Sequence, residues 1–240
     1  LAADHFDNGT RVILARDRAA HRRMVLIVDH RVPEPDRDAG SRTLMGFIEA
    51  LLADGAVVKF RPHDGSEPQP YTDTLRQMGV EVLAGAGTPP MEEWLAYNGA
   101  ELDTTMVARP DVAVVWLPLL RRHAKGSLFY YCHDLHFRRL RLQGEIERNR
   151  ALLAAADQME QTERAIWRHV DGVLSPSEEE ARIVARMDGT LRSRALIPYA
   201  FDRFGAPGAP PPGQLLMFVA GFGHPPNETA LMWLCLLYTS

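Results

Sequence analysis

The sequence contains little cysteine and no long apolar run, and both absences narrow what the chain can be. Its 240 residues include 2 cysteines, Cys132 and Cys235, which lie far apart. Two distant thiols do not build a disulfide framework, so we expect a reducing, cytoplasmic setting. No apolar run reaches the roughly 18 residues that a membrane-spanning helix needs, and no signal peptide is visible.

An excess of charge of one sign is also missing. The formal net charge is −4, and 46% of the residues are hydrophobic. A weakly acidic chain has no general attraction to nucleic acid, so we predict no nucleic-acid partner. The hydrophobic fraction is ordinary for a globular protein and is sufficient for a sizeable core. Neither G-x-G-x-x-G nor a P-loop is present, which excludes the two most recognisable nucleotide-binding patterns.

Short apolar runs of strand length alternate with helical patterns, which predicts an α/β fold with a doubly wound, Rossmann-like parallel sheet. The predicted strands are Met24–Asp29, Ala56–Phe60, Val80–Leu83, one within Leu102–Arg109, Ser127–Cys132, Gly172–Leu174 and Arg194–Ile197. The predicted helices are Ser41–Asp54, Tyr71–Met78, Met91–Asn98, Phe137–His169 with a break near Ala154–Asp157, and Ser177–Met187. Asp111–Leu120 fits a helix or a strand that Pro118 shortens.

Composition divides the chain into four segments. Residues 1–23 are mixed and polar, residues 24–204 carry the alternating pattern, and residues 205–214 form a Pro/Gly-rich linker. A second strand, loop and helix then begin at residues 215–220, 221–227 and 228–234, so we interpret residues 215–240 as the truncated start of a second Rossmann-like domain. The uniformly apolar end, Cys235–Ser240, fits an amphipathic helix poorly, and we interpret it as non-native.

Two loops after predicted strands carry candidate site residues. Gly40 and Ser41 follow the first strand, where open α/β sheets bind ligands. Gly40 lets a ligand approach the backbone, and Ser41 can cap the next helix and offer its hydroxyl beside the helix N-terminus, which favours an anion. Both a plain capping turn and a binding loop fit this pattern.

His133, Asp134 and His136 follow the strand Ser127–Cys132. These titratable side chains suit substrate binding or proton transfer, with Asp134 orienting an imidazole. Their spacing also permits a metal, although Asp29, His30 and His63 complete no recognised ligand pattern. A structural alternative is that His136 caps the following helix.

Two charged stretches have simpler interpretations. Ser177 is a good N-cap, and Glu178–Glu180 suit the first turn of a helix. Arg138, Arg139 and Arg141 form either a solvated helical face or a patch that attracts phosphate or anionic lipid. A peripheral membrane contact therefore stays open.

Four stretches, in order, resemble glycosyltransferase family 4, whose members have the two-domain GT-B architecture. They are Val25–Thr43, His133–Asp134, Val173–Ala181 with Ile197–Asp202, and Leu215–Asn227. Tyr199 departs from the pattern, because the family often has Asn there.

The resemblance implies transfer of a sugar from a nucleotide-sugar donor to a polysaccharide, lipid-linked or similar acceptor, with retention and without a metal or other cofactor. It implies that Gly40 and Ser41 line the cleft near the donor phosphates and that His133, or else His136, meets the transferred sugar. It also implies that Gly221, Gly223, His224 and Asn227 belong to the donor-side loop.

Two other functions are compatible with the same residues. A metal-dependent hydrolase would use His133, Asp134 and His136, and a non-catalytic α/β module would use the cleft for binding alone. The donor sugar and the acceptor are not indicated by the sequence.

Overall fold

The computed structural model describes residues 12–19, 21–199, 205, 208, 213, 216–221 and 225–239. Seven strands alternate with helices, as the sequence predicts. The strands are β1 (Met24–Asp29), β2 (Val57–Pro62), β3 (Glu81–Val82), β4 (Thr104–Ala108), β5 (Ser127–Tyr131), β6 (Gly172–Ser175) and β7 (Ser193–Ala195). The helices are α1 (Val12–Arg16), α2 (Ala39–Ala53), α3 (Tyr71–Gln77), α4 (Met91–Asn98), α5 (Pro110–His123), α6 (His136–Ile146), α7 (Arg150–Arg168), α8 (Glu178–Met187) and α9 (Pro225–Thr239).

All seven strands are parallel and lie in the order β3-β2-β1-β4-β5-β6-β7. The α/β class with a doubly wound, Rossmann-like sheet is therefore confirmed. The strand order reverses between β1 and β4, which are hydrogen-bonded neighbours. In open parallel sheets, ligands bind at such a reversal, beyond the carboxyl ends of the strands.

Each face of the sheet buries a separate hydrophobic core. Alternate residues of β1 point to opposite faces, so Leu26 and Val28 join one core while Val25 and Ile27 join the other. The first core packs under α1, α4, α5, α7 and α8, and the second packs under α2 and α3. Because both faces are covered, the strands are continuous apolar runs rather than alternating ones.

The segment Asp111–Leu120, for which the sequence allowed a helix or a strand, is helical and does not end at Pro118. The segment is helix α5, which runs from Pro110 to His123 with Pro118 inside it. One missing backbone hydrogen bond is tolerated there because Trp116, Leu117 and Leu120 bury the inner face of the helix.

The break in the long charged helix lies elsewhere than predicted. It falls at residues 147–149, between α6 and α7, and not at Ala154–Asp157. Asn149 is the reason, because its side-chain oxygen accepts from the backbone N–H groups of Ala151 and Leu152 and so starts a new helix.

The second strand–loop–helix start forms only in part. Helix α9 is present and is longer than the predicted Glu228–Leu234, continuing through the apolar end to Thr239. The expected strand at residues 215–220 does not appear in the described residues 216–221, which belong to no helix or strand. A strand needs a neighbour to satisfy its backbone groups, and no described strand pairs with this run. No described helix is both long enough and apolar enough to cross a bilayer.

Candidate functional site

A polar cluster lies where the strand order reverses. Asp29 is the last residue of β1, and Arg109 directly follows β4. Arg109 Nε donates to Asp29 Oδ1 over 2.8 Å. Asp29 is almost fully buried, with 1% of its surface exposed, so this is an ion pair enclosed by the protein.

Asp29 is held ionised by its neighbours. Its Oδ1 also accepts from the backbone N–H of His30 at 2.6 Å, and the His30 ring nitrogen Nδ1 lies 3.1 Å away. Burial opposes ionisation, but the contacts with His133, His30 and Arg109 outweigh it and hold the pKa of Asp29 well below its usual range. The site therefore contains a fixed carboxylate beneath its surface.

Arg109 occupies an unusual backbone conformation. Its φ is 65° and its ψ is 141°, a combination that residues other than glycine rarely adopt. Pro110 follows and begins α5. Strain of this kind is kept where the surrounding contacts require it and is common at functional sites. Here it directs the guanidinium toward Asp29.

Gly40 brings the N-terminus of α2 against this cluster. A Cβ on Gly40 would lie 2.9 Å from Arg109 Nη2 and 3.5 Å from His133 Cε1. A side chain at Gly40 would therefore require the flexible end of Arg109 to move. The predicted approach of a ligand to the Gly40 backbone stays a prediction.

Ser41 has a different role from the one that its sequence suggested. The N-cap of α2 is Asp38, which accepts from Ser41 N and from Ser41 Oγ, both at 2.8 Å. Ser41 is 2% exposed. The expectation that Ser41 caps the helix is wrong, because Asp38 already does so and takes up the serine hydroxyl.

His133 completes the cluster from the loop after β5. Its Nε2 lies 3.4 Å from Asp29 Oδ2, within ion-pair distance but without hydrogen-bond geometry, and is buried. The imidazole packs edge-to-face on Tyr131 with 4.9 Å between ring centroids, and Tyr131 packs in the same way on Phe47 of α2. The contact with Tyr131, which is itself packed on Phe47, therefore helps to hold the imidazole beside Asp29.

Asp134 and His136 belong to a second cluster. His136 Nδ1 lies 2.9 Å from Asp134 Oδ1, and Arg139 Nε donates to Asp134 Oδ2 at 2.6 Å. Burial opposes the ionisation of Asp134, but His136 and Arg139 hold its pKa well below the usual range. The sequence placed His133, Asp134 and His136 in one site, whereas the structure gives His133 different partners from the other two.

Glu163 explains why His136 does not itself cap α6. Glu163 of α7 accepts from the backbone N–H groups of His136 and Phe137, at 3.3 and 3.0 Å, and its side chain is fully buried. Burial raises the pKa of Glu163 to about 7 against the opposing contacts with Phe137 and His136. Glu180 adds a weaker contact to Leu135 N at 3.3 Å. The helix start is therefore held by carboxylates from α7 and α8.

The metal-dependent alternative finds no support in this geometry. No group of three or more His, Cys, Asp or Glu side chains suited to a metal occurs among the described residues. His133 faces Asp29, and His136 faces Asp134.

The arginines after the histidine loop are already paired. Arg138 contacts Glu179 at 2.9 Å, and Arg139 contacts Asp134. Arg141 contacts Asp157 at 2.8 Å and Glu160 at 3.0 Å. Their charges are compensated locally, which favours the interpretation of a solvated, ion-paired face over an anion-binding patch. The predicted cap at Ser177 is confirmed, since Ser177 Oγ accepts from Glu180 N.

The predicted donor-side loop is described only in part. Asn227 Nδ2 donates to the carbonyl oxygen of Gly221 at 2.9 Å, a contact within the loop itself. Gly223 and His224 lie outside the described residues. Among the described contacts, none joins Gly221 or Asn227 to the cluster around Asp29. The two predicted halves of the site are thus not brought together here.

Sequence reasoning missed Arg109 and Glu163 and considered Asp29 only as a metal ligand. Asp29 and Arg109 each stand at the end of a predicted strand, and that position was the available signal. Nothing in the sequence around Glu163 distinguishes it from the other acids of α7. No family model matches the chain, and no curated protein matches it significantly.

Proposed function

We propose that this chain is the acceptor-side part of a retaining, metal-independent glycosyltransferase that moves a sugar from a nucleotide-sugar to a glycan or lipid-linked acceptor. The observation that carries the proposal is the convergence of Asp29, Arg109 and His133 beside Gly40, at the reversal of strand order. The sequence resemblance to glycosyltransferase family 4 points in the same direction.

The cluster offers the two kinds of group that sugar transfer needs. Arg109 uses Nε for Asp29, which leaves its terminal nitrogens to bind an anion beside the positive end of α2. In the transfer, the bond between the anomeric carbon and the diphosphate oxygen breaks, and the acceptor oxygen bonds to that carbon. The leaving diphosphate takes the electron pair and then the acceptor proton, so a positive group near it lowers the barrier.

His133 is suited to hold the sugar. Asp29 lies on its Nε2 side, and its Nδ1 makes no hydrogen bond among the described residues. The edge-to-face contact with Tyr131 holds the imidazole beside this carboxylate. We therefore assign His133 to a sugar hydroxyl, with Asp29 as the positioning residue and Arg109 near the phosphates.

The donor half of the site would begin with Gly221, Gly223, His224 and Asn227 and continue in a further domain. On this proposal the 240-residue chain alone does not transfer sugar, because that further domain would hold most of the nucleotide contacts. Its proposed setting is cytoplasmic.

The test is a transfer assay on the longer protein in which a donor domain follows this chain. A panel of labelled nucleotide-sugars is offered with glycan and lipid-linked acceptors, and bound Zn²⁺ and Mn²⁺ are quantified in the same samples. Transfer without stoichiometric metal supports the proposal. Hydrolysis that depends on stoichiometric metal would support the hydrolase instead, and ligand binding without turnover would support the non-catalytic module.

A further inference from the structure

Two cations on the same face of β2 differ in how their charge is compensated. Lys59 and Arg61 are two residues apart, so both point toward the α5 side of the sheet. Lys59 is fully buried and has two carboxylate partners, Asp17 and Glu81, each at 2.5 Å. Arg61 forms no ion pair with any described residue.

The Arg61 guanidinium is nevertheless held in place by two neighbours. Its Nη1 donates to the carbonyl oxygen of Leu83 at 2.6 Å, and its guanidinium carbon lies 5.7 Å from the centre of the Trp116 ring. Its Nε is buried and has no hydrogen-bond partner in the described part of the chain. Burial lowers the pKa of Arg61, and only Asp64 opposes this. Asp64 itself accepts two hydrogen bonds from Ser66.

His63 supplies a second donor, and it contacts the same Trp116 indole as Arg61. Trp116 Nε1 lies 2.9 Å from His63 Nδ1, and an indole N–H only donates. His63 Nδ1 is therefore the acceptor, which places the ring proton on Nε2. His63 is exposed, so the Nε2–H group is accessible to a ligand.

This group is located at the carboxyl edge of the sheet. His63 N donates to the Asp29 carbonyl oxygen at 2.7 Å, which ties the loop after β2 to the end of β1. Arg61 and Asp29 point to opposite faces of the sheet, since Val28 and not Asp29 is aligned with Arg61. The group is thus a neighbour of the Asp29 cluster and not a part of it.

We propose that Arg61 and His63 bind an anionic group, a phosphate or a carboxylate, against the Trp116 indole. The guanidinium donates charge-assisted hydrogen bonds to anionic oxygens, and the imidazole N–H donates a neutral one. The indole holds the guanidinium in place through a cation–π contact, so little side-chain freedom is lost on binding. The site does not require the transferase proposal to be correct.

The test follows the Trp116 indole N–H signal in ¹H–¹⁵N spectra while inorganic phosphate or glucuronate is added at constant ionic strength. The chain has 4 tryptophans, and Trp116→Phe assigns the signal. We expect a saturable shift with a dissociation constant on the order of 1 mM. A shift with phosphate alone identifies a phosphate site, and a shift with glucuronate alone identifies a carboxylate site.

Arg61→Gln should weaken binding about tenfold or more, the usual loss for a charge-assisted hydrogen bond. Arg182→Gln, which removes an exposed arginine of α8, is the matched control and should leave the affinity unchanged. Thermal midpoints check that both variants fold.

His63→Ala is a second variant, in case Arg61→Gln fails to fold. Because His63 is exposed, we expect this variant to fold. It should weaken binding about threefold or more, as loss of a neutral hydrogen bond does. The absence of a saturable shift would overturn the proposal. So would an unchanged affinity in His63→Ala, or equal affinities in Arg61→Gln and Arg182→Gln.

Discussion

Asp29 and Arg109 form an ion pair across the reversal of strand order, with Asp29 Oδ1 2.8 Å from Arg109 Nε. Asp29 ends β1, and Arg109, 80 positions later in the sequence, directly follows the neighbouring strand β4. Because Asp29 is 2% exposed at its side chain and Arg109 is 23% exposed, the pair is shielded from solvent. The pair links the ends of β1 and β4, and both of its residues belong to the site that we propose.

Removing the charge of Asp29 should destabilise the protein. Asp29→Asn leaves the Arg109 guanidinium without its carboxylate, which costs about 3 kcal/mol for a largely buried pair. Urea unfolding at pH 7 measures the loss. Glu92→Gln is the control, because the Arg122–Glu92 pair is 66% exposed on both sides and should contribute less than about 1 kcal/mol. Equal losses in the two variants would contradict the assignment of a buried pair.

The same carboxylate predicts how stability responds to acid. The pKa of Asp29 is lowered in the folded protein, so its contribution is fully present above the unfolded pKa of about 4 and declines progressively as the pH falls from there toward the lower folded pKa. Asp29→Asn should therefore flatten the acid side of the stability profile. Unfolding free energies from pH 3 to neutral pH would check this, and a profile as steep as that of the wild type would count against it.

Gly40 and Gly46 offer a matched pair of substitutions within α2. Gly46→Ala meets only the Pro198 carbonyl oxygen, at 3.9 Å, and should stabilise the helix by about 0.5–1 kcal/mol. Gly40→Ala places a methyl group 2.9 Å from Arg109 Nη2, so the guanidinium must move. We expect Gly40→Ala to stabilise the protein less than Gly46→Ala does. We also expect Gly40→Ala, and not Gly46→Ala, to weaken binding of the proposed nucleotide-sugar. Similar effects of both substitutions on binding would argue against close approach at Gly40.

Glu163 should make the stability fall as the pH rises from mildly acidic values toward 7. Its folded pKa is raised to about 7, so between its unfolded value and pH 7 the folded state binds more protons than the unfolded state. His136 acts in the same direction, since its pKa is also raised against the opposing effect of its own burial. Its contribution is complete below about pH 6.5 and decreases as the pH rises through the folded pKa.

Glu163→Gln should reduce this decline, whereas the exposed Glu145→Gln should preserve it. Urea unfolding at pH 5, 6, 7 and 8 would separate the two variants. A Glu163→Gln profile parallel to that of the wild type would show that this carboxyl group does not titrate in the range.

The sequence predicted the sheet because each strand is a local apolar run between turn residues. Met24–Asp29 and Ser127–Tyr131 could be recognised without knowledge of their neighbours. The expected strand at residues 215–220 was recognised by the same rule, but a strand also needs a partner, and its own residues cannot supply one.

The candidate site was less predictable because its contacts are long-range. Gly40 and His133 follow strands and were identified from that position. Arg109 was not, because its role depends on β1 and β4 being neighbours and on a φ of 65° that no local pattern indicated. The separation of His133 from Asp134 and His136 also arises from the fold, since Asp29 and Glu163 come from other elements.

Our central proposal is that His133 holds the sugar in a glycosyltransferase, and turnover of a longer protein in which a donor domain follows this chain tests it most directly. His133→Ala should reduce sugar transfer on the order of 100-fold, because a substrate that is no longer positioned reacts that much more slowly. The exposed His169→Ala, on the opposite side of the fold from the carboxyl ends of the strands, is the control and should retain wild-type transfer. Equal transfer rates in the two variants, or the absence of transfer from every nucleotide-sugar in the wild type, would contradict the account.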